Sequence, residues 1–299
     1  MSAQQERKEG GGKKKGRREP PPIEPVGAPV PVVDSHCHLT YGTLAKETEA
    51  VLERAADVGV AAMLTISTRL ETFPGVLAVA GAHANVWASV GVHPHHAEAE
   101  AGEVNAARLV ELAAHPKVVA IGEAGLDYFY DRSPREVQQR VFREHIAAAR
   151  ETGLPLVIHS REAEEDTAAI LREEMAAGEF PFVMHCFSSA PWLAEAAVEL
   201  GGYVSFSGII TFRKSQEVRE AAQAVPEERL LVETDAPFLA PEPYRGRICE
   251  PAHTAVTLRH LADLRGKSAE EMAGITSDNF FRLFSRAERP VIFGEGARA

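Results

Sequence analysis

The chain has 299 residues, of which 45% are hydrophobic and 25% charged, with a formal net charge of −11. That is ordinary globular composition, and the length suits one large α/β domain or two smaller ones. No run approaches the ~20 apolar residues of a membrane span and no apolar leader is evident, so neither a membrane segment nor a secretory signal is expected.

The first stretch stands apart. Residues 1–30 hold seven basic residues (Arg7, Lys8, Lys13, Lys14, Lys15, Arg17, Arg18) against Glu6, Glu9, Glu19 and Glu24. That balance of +3 leaves −14 on the other 269 residues. Rich in Gly, Pro and Lys, the stretch is too poor in large apolar groups to offset its chain entropy, which predicts disorder over 1–30. It is either a solvated tail or a segment that touches nucleic acid through charge alone.

From Pro31 the chain alternates short apolar, β-branched runs with longer Ala/Glu/Arg/Leu-rich segments. Eight runs stand out: 31–39, 61–67, 86–93, 118–127, 155–160, 181–187, 203–210 and 230–237. Their starts lie 22 to 37 residues apart, near the ~30 residues of a βαβ unit. The clearest helix is 134–152, with Ser133 as N-cap, Pro134 at the first position, Glu136 completing a capping box and Gly153 ending it in a left-handed conformation. Strands alternating with helices predict a parallel sheet. Eight units predict a (β/α)8 TIM barrel over 31–287, closed by a helix at 268–286, with a loose end at 288–299. A doubly wound open sheet is the competing architecture.

In such a barrel the C-terminal strand ends line the site of chemistry. The first run, VVDSHCHL, ends in His36 and His38, which share one face of a strand. The fourth ends in Glu123, the fifth in His159, the sixth in His185 and the eighth in Asp235. Six ionisable groups gathered at one rim are costly unless paired or metal-bound. Four His and two carboxylates exceed the needs of one tetrahedral ion and suit two divalent ions about 3.5–4 Å apart, bridged by a carboxylate. Glu123 is the expected bridge, with His36, His38 and Asp235 on one ion and His159 and His185 on the other. A carboxylated lysine is excluded as bridge, because Lys117 precedes the fourth strand and so falls at the wrong end of the barrel.

The blocks DSHCHL, GVHPHHA, IGEAGLDY, IHSREA, MHCFS and ETDAPFLAP, in this order over residues 32–286, resemble the signature of TatD-type metal-dependent DNases. The resemblance implies an amidohydrolase-type TIM barrel, two divalent metals per chain and phosphodiester hydrolysis in DNA, including 3′–5′ exonuclease action. It implies the same six ligands: His36, His38, Glu123, His159, His185 and Asp235. One departure is RICEP at 247–251, where Cys249 takes the place of an asparagine common in relatives.

The expected mechanism is attack on phosphorus by a metal-bridging hydroxide, with Asp235 as ligand and base. His93, Arg161 and Arg213 are candidate substrate contacts, and Lys214, Arg245 and Arg247 fall on loops facing the same rim. Tyr128, Phe129 and Tyr130 either stack a nucleobase or form a hydrophobic lid. Cys37 and Cys186 each follow a candidate ligand by one residue, which on strand alternation turns both toward the helices. The ligand set fits Mg²⁺, Mn²⁺ or Zn²⁺ without choosing among them. Three cysteines without disulfide or metal spacing point to a reduced, cytoplasmic setting. DNA is the expected partner, with no membrane and no obligatory protein partner. The rival activities are hydrolysis of another ester or amide, such as an aminoacyl-tRNA, on the same two-metal centre, and nucleic-acid binding by an inactive barrel.

Overall fold

A computed structural model describes residues 19–26 and 31–293. Eight parallel strands run in sequence order around a barrel: β1 (Val32–Cys37), β2 (Val60–Thr65), β3 (Val86–Val90), β4 (Val118–Asp127), β5 (Leu156–Arg161), β6 (Phe182–Met184), β7 (Tyr203–Phe206) and β8 (Leu230–Val232). Six fall within the apolar runs, while β2 begins one residue before its run and β5 ends one residue after its run, and the open-sheet alternative is excluded by closure. Cys37 bridges Ala236 in parallel, the His38 N–H donates to the Ala236 carbonyl at 2.7 Å, and the Asp235 N–H donates to the His36 carbonyl at 2.9 Å.

The apolar side chains sort into two cores. Val33, Leu64, Trp87, Val119, Val157, Val183, Tyr203 and Leu231, one from each strand, belong to the cluster inside the barrel. Phe280 and Phe284 of the helix Ala269–Leu283 and its C-cap join this cluster, so that helix plugs the end where the strands begin. The alternate strand residues pack outward against the helices, which is why these runs read as continuously apolar.

Three local expectations change. The helix Arg135–Thr152 starts one residue later than predicted, with Pro134 as N-cap. Ser133 is not its cap, because its Oγ accepts the Glu98 N–H at 3.1 Å. Gly153 does end the helix at φ 67°. Of the stretch expected to be disordered, 1–18 and 27–30 lie outside the described residues. Residues 19–26 instead lie against the barrel, with Val26 buried and its N–H bonded to the Val58 carbonyl at 2.9 Å. Of the end expected to be loose, Arg289 pairs with Asp278 at 2.6 Å, while 294–299 lie outside the described residues.

Candidate metal centre

The strand ends deliver the six predicted residues to one place by local irregularities. The β1–β2 register shifts between Asp34 and Cys37, and the β4–β5 register shifts between Gly122 and Ala124. Glu123 is thereby left off the ladder to β5, and its N–H donates to the Ser67 carbonyl at 3.0 Å. Glycines make room for this: a Cβ on Gly91 would lie 2.5 Å from the Gly122 backbone, and one on Gly125 would lie 2.0 Å from the His159 carbonyl. Asp235 sits in the left-handed region at φ 59°, a conformation Asp tolerates better than most residues.

Glu123 lies between two groups of imidazoles. Its Oε2 is 3.5 Å from His36 Nε2 and 4.0 Å from His38 Nε2. Its Oε1 is 2.8 Å from His185 Nε2, 3.2 Å from His159 Nδ1 and 3.4 Å from His93 Nε2. Asp235 Oδ1 closes the first group, 3.2 Å from His38 Nε2 and 3.6 Å from His36 Nε2. The rings of His36 and His185 stack at 3.8 Å, a geometry that two imidazolium cations would oppose.

Electrostatics match this layout. Burial pushes the Glu123 carboxyl up, but the charges of His185 and His93 and the neighbouring His159 together hold it well below the usual range. Asp235 is likewise raised by burial and brought below its ordinary value by His38, His36 and His185. Burial lowers His36, assisted by His185. For His185 burial also lowers the pKa, yet Glu123 and Glu233 carry it well above the ordinary value.

These residues fit a divalent cation. Three groups, His36–His38–Glu123, His36–His185–Asp235 and His93–Glu123–His159, each place their ligand atoms within 4.8 Å of one another. His185 Nε2 is buried and 2.8 Å from Glu123 Oε1, yet it lies outside hydrogen-bond geometry and has no hydrogen-bond partner. A buried nitrogen in that state is costly unless its lone pair meets an acceptor of electrons. Supporting carboxylates fix the rings: Glu233 Oε1 is 3.2 Å from His185 Nδ1, and Asp127 Oδ2 is 3.1 Å from His159 Nε2. Carboxylate–histidine pairs of this kind orient metal-binding imidazoles.

A sequence model of the family described as TatD related DNase matches residues 33–285. The chain belongs to this family. It is 43% identical to an uncharacterized metal-dependent hydrolase, YcfH, of Escherichia coli K12, over 85% of this chain and 95% of that protein. It is 37% identical to a protein named 3′-5′ ssDNA/RNA exonuclease TatD from Erwinia tasmaniensis, over 84% of this chain and 99% of that one. Among solved structures, the TatD homologue YJJV of Escherichia coli K12 matches with a TM-score of 0.79 and 33% identity, covering 85% of this chain and 98% of that one. The chain is a TatD-family metal-dependent hydrolase. Among the described residues, no helix is long and apolar enough to cross a membrane.

In this TatD-family barrel five of the six residues, His38, Glu123, His159, His185 and Asp235, line the floor of a cavity of about 720 Å³, and His36 is fully buried. Arg161 stands in its wall, its guanidinium 4.1 Å over the Phe129 ring and 4.8 Å over Tyr130. Arg132, not singled out from the sequence, also lines it. Arg213 does not: the turn Gly208–Thr211 after β7 carries it outward, and it is exposed. His93 lies at the floor with Nδ1 accepting the His95 N–H at 3.1 Å, so when neutral it carries its proton on Nε2, toward Glu123. Phe129 and Tyr130 are about half exposed at 49% and 48%, whereas Tyr128 turns away and donates to Asp166 at 2.7 Å.

Cys186 also departs from expectation. It lines the cavity, with Sγ 4.0 Å from Asp235 Oδ2 and 3.2 Å from Ser207 Oγ. Because β6 ends at Met184 and Cys186 has φ 44°, strand alternation no longer sets its direction. Cys37 does face the helical layer. Sequence reading passed over three carboxylates. Asp127 and Glu233 lie inside quoted blocks and needed only the observation that buried histidines require partners. Asp34 accepts from Thr234 Oγ1 at 2.6 Å and from the Thr234 N–H at 3.0 Å, tying β1 to the end of β8, and burial pushes it up to about 7.

Proposed function

We propose that this protein is a deoxyribonuclease that hydrolyses phosphodiester bonds at a two-metal centre, working inward from the 3′ end of a strand. Glu123 would bridge two ions, one held by His36, His38 and Asp235, the other by His159 and His185. Ions there supply positive charge against phosphoryl oxygens and lower the pKa of water toward neutrality.

The chain's own groups do the rest. Asp235, ionised and the more exposed of the two carboxylates at 15% against 3% for Glu123, takes the proton of the attacking water. His93 offers its Nε2–H to a non-bridging phosphate oxygen. Arg161 pairs with the next phosphate, while Phe129 and Tyr130 offer ring faces to an unpaired base. Arg213, outside the cavity, is left for the strand beyond it. Cys37, Cys186 and Cys249 are free thiols, in keeping with a reducing, cytoplasmic setting.

The observation that carries the reading is the division of Glu123 between two imidazole groups on the floor of a cavity walled by arginines and exposed aromatic rings. The relative named as a 3′-5′ ssDNA/RNA exonuclease supports it. The test is release of nucleotides from a 3′-labelled single strand, before and after chelation and with stepwise return of Mg²⁺, Mn²⁺ and Zn²⁺. Chelator-sensitive loss of the 3′ label is expected. Hydrolysis of aminoacyl esters with intact DNA would overturn the reading in favour of the alternative activity.

A further inference from the structure

Exposed aromatic rings gather on the face where the cavity opens. Phe129 and Tyr130 follow β4, Trp192 follows β6 and Phe238 follows β8. Trp192 does not line the cavity, whereas Phe129, Tyr130 and Phe238 do. In an eight-stranded barrel built in sequence order, β4 and β8 are four places apart, so the loops that follow them face each other across the mouth.

The two walls differ. On the β4 side Arg161 covers both rings, and Arg132 lies 5.2 Å over Tyr130. On the β8 side Phe238 makes T-shaped contacts with His38 at 6.1 Å and with Tyr41 at 6.2 Å. Its ring is 49% exposed, and among the described residues no cation lies over it.

Phe238 is also firmly held. Its N–H donates to the Asp235 carbonyl at 2.9 Å, and the Pro237 carbonyl accepts the Cys249 N–H at 3.0 Å. The next residue, Leu239, sits at φ 56°, a left-handed conformation that L residues resist. Its carbonyl packs so closely on Gly208 that a Cβ there would not fit. A turn fixed at this many points keeps a phenylalanine in water three residues past Asp235. Covering an aromatic face is favourable, and every nucleobase has a flat face to cover it with. A scissile phosphate on the floor would lie between Glu123 of β4 and Asp235 beyond β8. The nucleotides on its two sides then rise along opposite walls.

We propose that Phe238 is a second base platform, facing Phe129 across the cavity, so that the two nucleotides joined by the scissile phosphate each set their base on a different wall. The proposal rests on a nucleic-acid strand being what is cut in that cavity.

The test is kcat/KM for the first cut of three 5′-labelled single strands with Mn²⁺. One strand is complete, one lacks the base of the 3′-terminal nucleotide, and one lacks the base of the penultimate nucleotide. Phe238→Ala should lower kcat/KM on the complete strand about tenfold, and that loss should shrink to within about twofold on one of the two abasic strands. Phe129→Ala should behave in the same way with the other abasic strand. Phe238→Tyr keeps the ring and should stay within about twofold of the unaltered protein on all three. A Phe238→Ala protein as fast as the unaltered one would overturn the proposal. So would a loss that persists on both abasic strands, which is what a mere prop for His38 would give. Losses that vanish on the same strand for both variants would overturn it as well, because both rings would then serve one base. If the unaltered protein cuts no strand with Mn²⁺, Mg²⁺ or Zn²⁺, the nuclease reading falls and this inference with it. Cutting without the predicted pattern overturns this inference alone.

Discussion

Glu123 Oε1 lies 2.8 Å from His185 Nε2, while its other oxygen lies 3.5 Å from His36 Nε2. One carboxylate thus faces two imidazole groups, and the two-ion reading depends on its charge. Glu123→Gln keeps the shape and removes that charge. Bound metal, measured by mass spectrometry after dialysis, should drop by at least one ion per chain, and kcat should fall about a thousandfold. Full metal content in this variant would contradict the bridging role.

Asp235 is held ionised by His38 and His36 and lies where the floor meets solvent. As the proton acceptor it should matter more to the rate than to affinity. Asp235→Asn is expected to lower kcat by about a hundredfold or more with KM changed only a few-fold. Equal rises in KM and falls in kcat would mark it as a binding group.

Asp127 accepts from both His95 Nε2 at 2.9 Å and His159 Nε2 at 3.1 Å. Asp127→Asn should leave the fold intact and weaken metal affinity about 10- to 100-fold, read by titration of the chelated protein with Mn²⁺. Unaltered affinity would show that His159 is oriented by packing alone.

His145 is fully buried, with Nε2 accepting the Val92 N–H at 2.9 Å and Nδ1 bonded to the Val141 carbonyl at 2.8 Å. Burial pushes its pKa down to about 4. The unfolded chain takes up this proton near pH 6.5, whereas the folded chain does so only near pH 4, so stability falls as pH drops through that window and levels off below it. The loss amounts to about 3 kcal/mol for this group. Urea unfolding of the chelated protein at pH 7, 5.5 and 4 should show it, and His145→Gln should flatten that part of the slope.

Gly125 has φ +137°, and a Cβ there would lie 2.0 Å from the His159 carbonyl. Gly125→Ala must therefore strain β4 or push β5 aside. About 2–4 kcal/mol of stability should be lost, seen as a lower Tm, together with activity, because His159 moves with its backbone.

The barrel was legible because its strands are apolar on both faces and evenly spaced, and the centre because polar residues at strand ends have few reasons to be there. His36, His38, Glu123, His159, His185 and Asp235 come together from positions two hundred residues apart. What escaped the sequence was set by contacts without periodicity. Cys186 turned inward because β6 is only three residues long. Ser133 was taken by Glu98 rather than by its own helix. Residues 19–26 lacked a helical or strand pattern, and the burial of every third residue, Pro20, Ile23 and Val26, shows only against the surface they cover.

The most direct measurement is an anomalous-diffraction map of crystals grown with Mn²⁺. It should contain two peaks flanking Glu123, one beside His36, His38 and Asp235 and the other beside His159 and His185. A single peak, or two peaks that do not share Glu123, would contradict the account.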